Sequence, residues 1–292
     1  MKIINYLSTL DRRVVYVVLA IAVMLPLIIP SVQRVRVMTP VAKLYNAVDT
    51  IPSNKILILN FDYDPQTLPE MEPMGIALLR HAFERRIKVA VLSLYVQPLG
   101  LAKKALDQVT EEFNRRATSS ADSIIYGRDY VFLGWQPPPI VPLLGMGISI
   151  AGVYTRDYYG YRTDSLPMMR KVKNFNDVGI LVSLSGATAP LWWVAYSQTR
   201  FGVAVGAGIT AVSASEFYQY YQTGQFSGLM IGMKGAAEYE ELVETKLKLR
   251  DRRKASEALG SLTAAHLTMI AFIIIGNIGY FTRRRRGKGG SK

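Results

Sequence analysis

"KILILNFDYDPQT", residues 55–67, decides how this chain is read. A continuous apolar run passes through Asn60 and Phe61 and ends in two carboxylates, Asp62 and Asp64, then Pro65. Unbroken rather than alternating apolar character marks a strand buried on both faces, as in a parallel sheet. The acids then stand at the strand's carboxyl end, where Asp-Pro opens a turn. The next segments fit that start. "PEMEPMGIALLRHAFERRI", residues 69–87, has acids early and Arg85 and Arg86 late, the charge order that suits a helix dipole. "KVAVLSLYV" (88–96) is a second buried strand, "LGLAKKALDQVTEEFNRRA" (99–117) an amphipathic helix, and "DYVFLGW" (129–135) a third strand. This is a βαβαβ order, which predicts an α/β, Rossmann-like, mostly parallel sheet with flanking helices and right-handed crossovers.

The rhythm breaks over residues 136–176, a Pro/Gly/Tyr-rich insertion holding Leu143, Leu144, Met146, Tyr154, Tyr158, Tyr159 and Tyr161. Long irregular segments in compact domains tend to be functional. This one is expected over the carboxyl end of the sheet, on a partner, or on a membrane surface. The βα order resumes with "DVGILVSLSG" (177–186), "ATAPLWWVAYSQTRF" (187–201) and "GVAVGAGIT" (202–210). The α/β domain is expected to span residues 55–240, after a linker at 34–54 and before a charged connecting helix at 241–257.

Half of the 292 residues are hydrophobic, and two apolar runs bracket the domain. Residues 14–33 are uncharged between Arg13 and Arg34 and are read as a signal anchor; Pro26 interrupts the run. A secretory signal peptide is the alternative, but Pro30-Ser31-Val32 is not a small-x-small cleavage site. Residues 258–282 form the second candidate span, with Tyr280 and Phe281 at the interface level and "RRRRGKGGSK" (283–292) behind them. A buried core helix is the competing account of either run.

The net charge is +13, but residues 43–240 contribute only +1; the rest flanks the apolar runs. Such charges are topology signals and headgroup contacts, so nucleic acid is not an expected partner. Arg12, Arg13, Arg283, Arg284, Arg285 and Arg286 are the topology anchors. They place residues 1–13 and the tail in the cytoplasm and the α/β domain outside. Arg34, Arg36 and the basic residues between 246 and 254 favour the reverse, which stays open.

The chain has no cysteine and two histidines, which removes thiolate chemistry and leaves few bases. Asp62-Tyr63-Asp64 resembles the D-x-D-x-T/V start of the haloacid dehalogenase-like phosphohydrolases. The resemblance covers about ten residues and implies Asp62 as nucleophile, Asp64 as proton carrier and Mg²⁺ alongside. The chain departs from that pattern at Gln66, with Thr67 one position late. It has no acidic pair after "GVAVGAGIT", and Lys171 and Lys173 precede Ser183 and Ser185. The simpler account is an Asx turn that caps the next helix. Between these stands ligand binding at strand ends by Asp62, Asp64, Ser183, Ser185 and Gly186. His81 reads as a semi-buried helix residue, and His266 lies in the second apolar run. Neither serine sits in G-x-S-x-G, and no Rossmann glycine fingerprint or P-loop follows the first strand. No cofactor or metal is expected.

"TGQFSGLMIGMKGAAEYEE" (223–241) places Gly224, Gly228, Gly232, Gly235 and Ala236 at helical spacing. As one helix it would form a small-residue ridge for close packing, against the domain's own sheet or a partner. The expectation is a non-enzymatic structural or assembly subunit that contacts membrane lipid and associates with itself or other membrane proteins. The alternative is a ligand-binding or metal-dependent hydrolytic domain at the strand-end acids.

Overall fold

The stretch at 55–67 contains β1 (Ile56–Asp62), and all seven of its residues are buried. The computed structural model describes residues 11–29, 35–249 and 254–288. Two compact units arise: residues 34–255, and the flanking residues 1–33 with 256–292.

In the first unit, α2 (Thr39–Asp49) leads into β1, which continues through α3 (Leu68–Glu84), β2 (Val89–Ser93), α4 (Leu99–Arg116) and β3 (Tyr130–Trp135). The chain then forms α5 (Ile140–Gly145) and α6 (Ile150–Val153) and reaches β4 (Val178–Ser185). A single helical stretch comes next, α7 (Ala189–Trp192), a π-turn at Trp193–Gln198 and α8 (Thr199–Phe201). β5 (Val205–Ile209), α9 (Ala214–Gln222), β6 (Leu229–Ile231) and α10 (Gly232–Leu247) complete the unit. The six strands pair in parallel in the order β3-β2-β1-β4-β5-β6. That is the doubly wound order of dinucleotide-binding sheets, with its reversal between β1 and β4.

One face of the sheet is covered by α2, α3, α4 and α10. α3 lies so close that a Cβ on Gly75 would fall 2.7 Å from the Phe61 ring. The other face is covered by the insertion and the segments after β4 and β5: Leu143, Met146, Ile150, Tyr154, Trp193 and Phe217 share a buried cluster with Ile56, Ile58, Leu92 and Val131. The insertion therefore supplies an apolar layer of the core. Burying such large side chains stabilises the sheet by roughly 1.5–3 kcal/mol each. The insertion's tyrosines divide: Tyr154 is buried within electrostatic reach of Asp62 at the strand ends, whereas the later ones lie along an edge. Tyr158 N donates to Phe132 O (2.9 Å), and the Tyr158 ring stacks on Phe132 at 4.4 Å. Residues 156–162 thus line the edge strand β3, whose open hydrogen-bonding groups would otherwise invite another chain.

The glycine-ridged helix expected over 223–241 does not form as one helix. Gly224 sits in a turn at φ +80°, Gly228 just before β6, and Gly232 opens α10 at φ +59°. Gly235 and Ala236 lie inside the helix beyond its first residue, and both are buried. The physical reason is the edge strand between them. Leu229–Ile231 pairs with β5, and a Cβ on Gly228 would lie 2.3 Å from the Leu44 backbone nitrogen. The spacing by four reflects a turn, a tight strand–helix crossing and a left-handed helix start.

The charged connecting helix expected at 241–257 is divided: its first residues are the end of α10, which stops at Leu247 with Lys248 as a left-handed cap, residues 250–253 lie outside the described residues, and 254–257 open the next helix. In the second unit, α11 (Lys254–Lys288) contains one apolar run long enough to cross a membrane, Ala255–Phe281, with mean hydropathy 2.0. At 27 residues it is about 40 Å long, against about 30 Å of hydrocarbon. The N-terminal run is different. Its helix α1 (Arg12–Ile28) has 17 described residues, about 25 Å, and is a shorter apolar helix than α11. Residues 30–33, the end of the expected span, and Arg34 behind it lie outside the described residues, as do the side chains of Arg12 and Arg283–Arg286. Within this unit α1 touches α11, with Pro26 Cβ 3.9 Å from where a Cβ on Gly260 would be.

Candidate ligand cleft at the strand ends

Register brings the candidate residues together. β1 pairs with β4 so that Asn60 stands beside Ser183 and Asp62 beside Ser185. Asp62, Asp64, Thr67, Tyr95, Gln97 and Gly186 line a cleft of about 410 Å³ at the reversal point. Ser183 and Ser185 lie beneath it and are buried. Gly186 is at the mouth for a steric reason: a Cβ there would meet Thr67 Cγ2 at 2.6 Å.

Asp62 is the centre of a network that crosses three strands. Asn60 Nδ2 donates to Asp62 Oδ2 (2.7 Å) and to Ser183 Oγ (2.8 Å). Leu94 N donates to Asp62 Oδ1 (2.8 Å), and Ser93 Oγ lies 2.7 Å from the same oxygen. Burial pushes the Asp62 carboxyl up to about 6, although Asn60, Ser93 and the backbone pull the other way. Desolvation wins because no cation among the described residues stands near to offset it. Ser93 has a second acceptor at 2.7 Å, the Tyr95 carbonyl. With Asp62 ionised, the Ser93 hydroxyl donates to it. With Asp62 protonated, that hydroxyl can turn to Tyr95 O while the acid donates to Ser93 Oγ. The Asp62–Ser93 hydrogen bond is kept in either protonation state, and the ionised form gives up only the bond from Ser93 to Tyr95 O. The Tyr154 hydroxyl, buried and without a hydrogen-bond partner among the described residues, feels the Asp62 charge, which adds to burial in raising its pKa.

Asp64 has a different role. Its Oδ1 accepts from Gln66 N (3.0 Å), Thr67 N (3.1 Å) and Thr67 Oγ1 (3.2 Å), the Asx turn that leads into α3. Glu70 in the first turn of α3 accepts from Ala211 N (2.8 Å). Asp64 thus takes the two amides just before this helix, and Glu70 adds a second carboxylate at its start, which disfavours a phosphate there.

Asn60, Thr67, Ser93, Tyr95 and Gln97 were not among the sequence candidates. Asn60 and Ser93 carried a usable signal, since each is a polar residue in the last positions of an otherwise apolar buried strand. Tyr95 and Gln97 lie in a loop whose placement depends on the pairing of β2 with β1.

His81 is remote from these residues in its contacts. It is fully buried and stacked on Tyr45 at 4.2 Å. Nε2 lies 3.1 Å from Asp49 Oδ1 and Nδ1 lies 2.8 Å from the Tyr239 hydroxyl. A carboxylate only accepts, so the proton is on Nε2 and Tyr239 donates to Nδ1. Burial lowers its pKa to about 4 against the pull of Asp49.

The Mg²⁺ implied by the haloacid dehalogenase resemblance does not fit these residues. Both Asp62 oxygens take protein donors, Asp64 is spent on its turn, and no group of three His, Asp or Glu able to hold a metal occurs among the described residues. No protein-family model matches the chain, and no curated protein or solved structure does either.

Proposed function

We propose that this chain is a membrane-anchored Rossmann-like module that binds a small ligand in the strand-end cleft without turning it over. The single observation behind this is Asp62, a buried carboxyl held near neutrality at the point where doubly wound sheets bind ligands. A buried acid without a cation costs stability, and binding is a reason to retain it. Two acids and no Lys or Arg line the cleft, so it disfavours phosphates and suits hydroxyl or ammonium donors. Absence of turnover fits a cleft without a histidine, cysteine or lysine. The test is mass spectrometry of small molecules released from the protein after purification from its own membranes. An amine or polyol lost in Asp64→Asn and in Gly186→Ala supports the reading, whereas a bound nucleotide would overturn it.

The assembly reading keeps one specific support. Tyr158, Tyr159 and Tyr161 remain 41%, 42% and 58% exposed along the β3 edge, an aromatic strip suited to another copy or another membrane protein. Mass photometry of the detergent-solubilised chain tests it; a monomer unaffected by Tyr159→Ser and Tyr161→Ser removes it. For location, we propose two spans, both termini cytoplasmic and the α/β domain outside. Support comes from the basic tail behind α11. Protease protection on vesicles decides this, and cleavage of the domain only in inside-out vesicles reverses the topology.

A further inference from the structure

A second cavity, of about 650 Å³, lies elsewhere on the α/β domain and has the opposite charge. Arg36, Met38, Pro40, Tyr218, Tyr221 and Lys234 line it. Lys43 adds a third cation, its Nζ 5.3 Å from the centre of the Tyr221 ring. Arg36 and Lys43 are exposed, and no ion pair engages either among the described residues. The acid in contact is Glu238, and it is largely committed. Its Oε2 accepts from Met38 N at 2.8 Å, and its Oε1 lies 3.6 Å from Lys234. Two cations of the nearly neutral stretch 43–240, Lys43 and Lys234, thus join Arg36 and two phenols around one hollow.

We propose that this hollow binds the phosphate of an anionic phospholipid headgroup. The inference rests on the membrane anchoring proposed for this chain. Chain length supports the lipid source: Arg36 is eight residues beyond Ile28, the end of apolar α1, and eight extended residues reach at most about 28 Å. The cations supply charge, the tyrosine hydroxyls supply donors to phosphate oxygens, and the rings suit the interfacial layer.

The experiment uses the full chain in a non-ionic detergent, with native mass spectrometry after addition of phosphatidylglycerol or phosphatidylcholine. The expected result is one phosphatidylglycerol retained in preference to phosphatidylcholine. Retention falls roughly a hundredfold in the variant Arg36→Gln/Lys43→Gln/Lys234→Gln, at about fivefold per charge. Because Lys234 neighbours buried Glu238, the double variant Arg36→Gln/Lys43→Gln is run beside it and should fall roughly 25-fold with an unchanged melting temperature. Equal retention of the two lipids, or no loss in the variants, overturns the site. Displacement of phosphatidylglycerol by millimolar inorganic phosphate assigns the hollow to a soluble anion and overturns the lipid source. Failure of the anchoring itself would appear separately, as release of the chain from membranes by alkaline carbonate.

Discussion

Two buried residues, Asp62 and His81, respond to acid in opposite senses over nearly the same range. Asp62 has a folded pKa of about 6 against 3.8 for the free group, so the folded state holds the proton more tightly. Its ionisation cost is absent below pH 3.8 and complete above pH 6. His81 has a folded pKa of about 4 against 6.5, so the stability of its neutral form is present above pH 6.5 and is lost as pH falls toward 4. Each amounts to at most about 3 kcal/mol, and in the native protein they largely cancel. Asp62→Asn should therefore raise the melting temperature at pH 7 and leave it little changed at pH 4, exposing the His81 slope. His81→Gln should do the reverse and make the protein relatively more stable as pH falls from 6 to 4. Parallel melting curves of the three proteins across pH would show that neither group is perturbed. The sequence revealed the acid at 62 and its strand end, because strand burial is a local pattern. It did not reveal that Asp62 would lack a cation, because its neighbours Ser93 and Ser183 arrive from strands 31 and 121 residues away in the chain.

At the scale of the element, legibility followed the length of the apolar pattern. β1, β2, β3, β4 and β5 each carry five or more residues of buried character and were found from the sequence. β6 has three residues, and its flanking glycines imitate a helical spacing, so it was absorbed into a predicted helix. Gly228 separates the two readings by experiment. On a helix surface, Gly228→Ala would stabilise by about 1 kcal/mol. Beside Leu44, where the added carbon would meet backbone rather than a movable side chain, it should destabilise by about 3 kcal/mol or more. Chemical denaturation of the variant measures the sign directly. The insertion was legible as unusual but not as core, because its apolar residues follow no helical or strand period; only the sheet face they cover gives them an order. The cleft likewise emerged only once β1 and β4 were neighbours, as sequence order places two strands between them.

At the scale of the whole molecule, the α/β domain is held where the chain enters and leaves it by two acids of one helix. Glu238 on α10 accepts from Met38 N (2.8 Å), and Glu240 accepts from Ala255 N (3.1 Å). The two positions differ by about 3 Å along the helix axis. Burial raises the Glu238 carboxyl, while the Met38 amide and Lys234 oppose the rise. Glu238→Ala leaves the Met38 amide without its acceptor, a loss of about 1–3 kcal/mol. Trypsin should then cut after Arg36 faster than in the native chain while the protected core fragment keeps its size; an unchanged rate would mean the bond does not restrain the strap. Glu240→Ala should have the matching effect after Lys254. Both bonds end on α10, so the entry and the exit of the α/β domain are fastened to one helix, and each substitution loosens one end while the parallel sheet and its cleft keep their own hydrogen bonds.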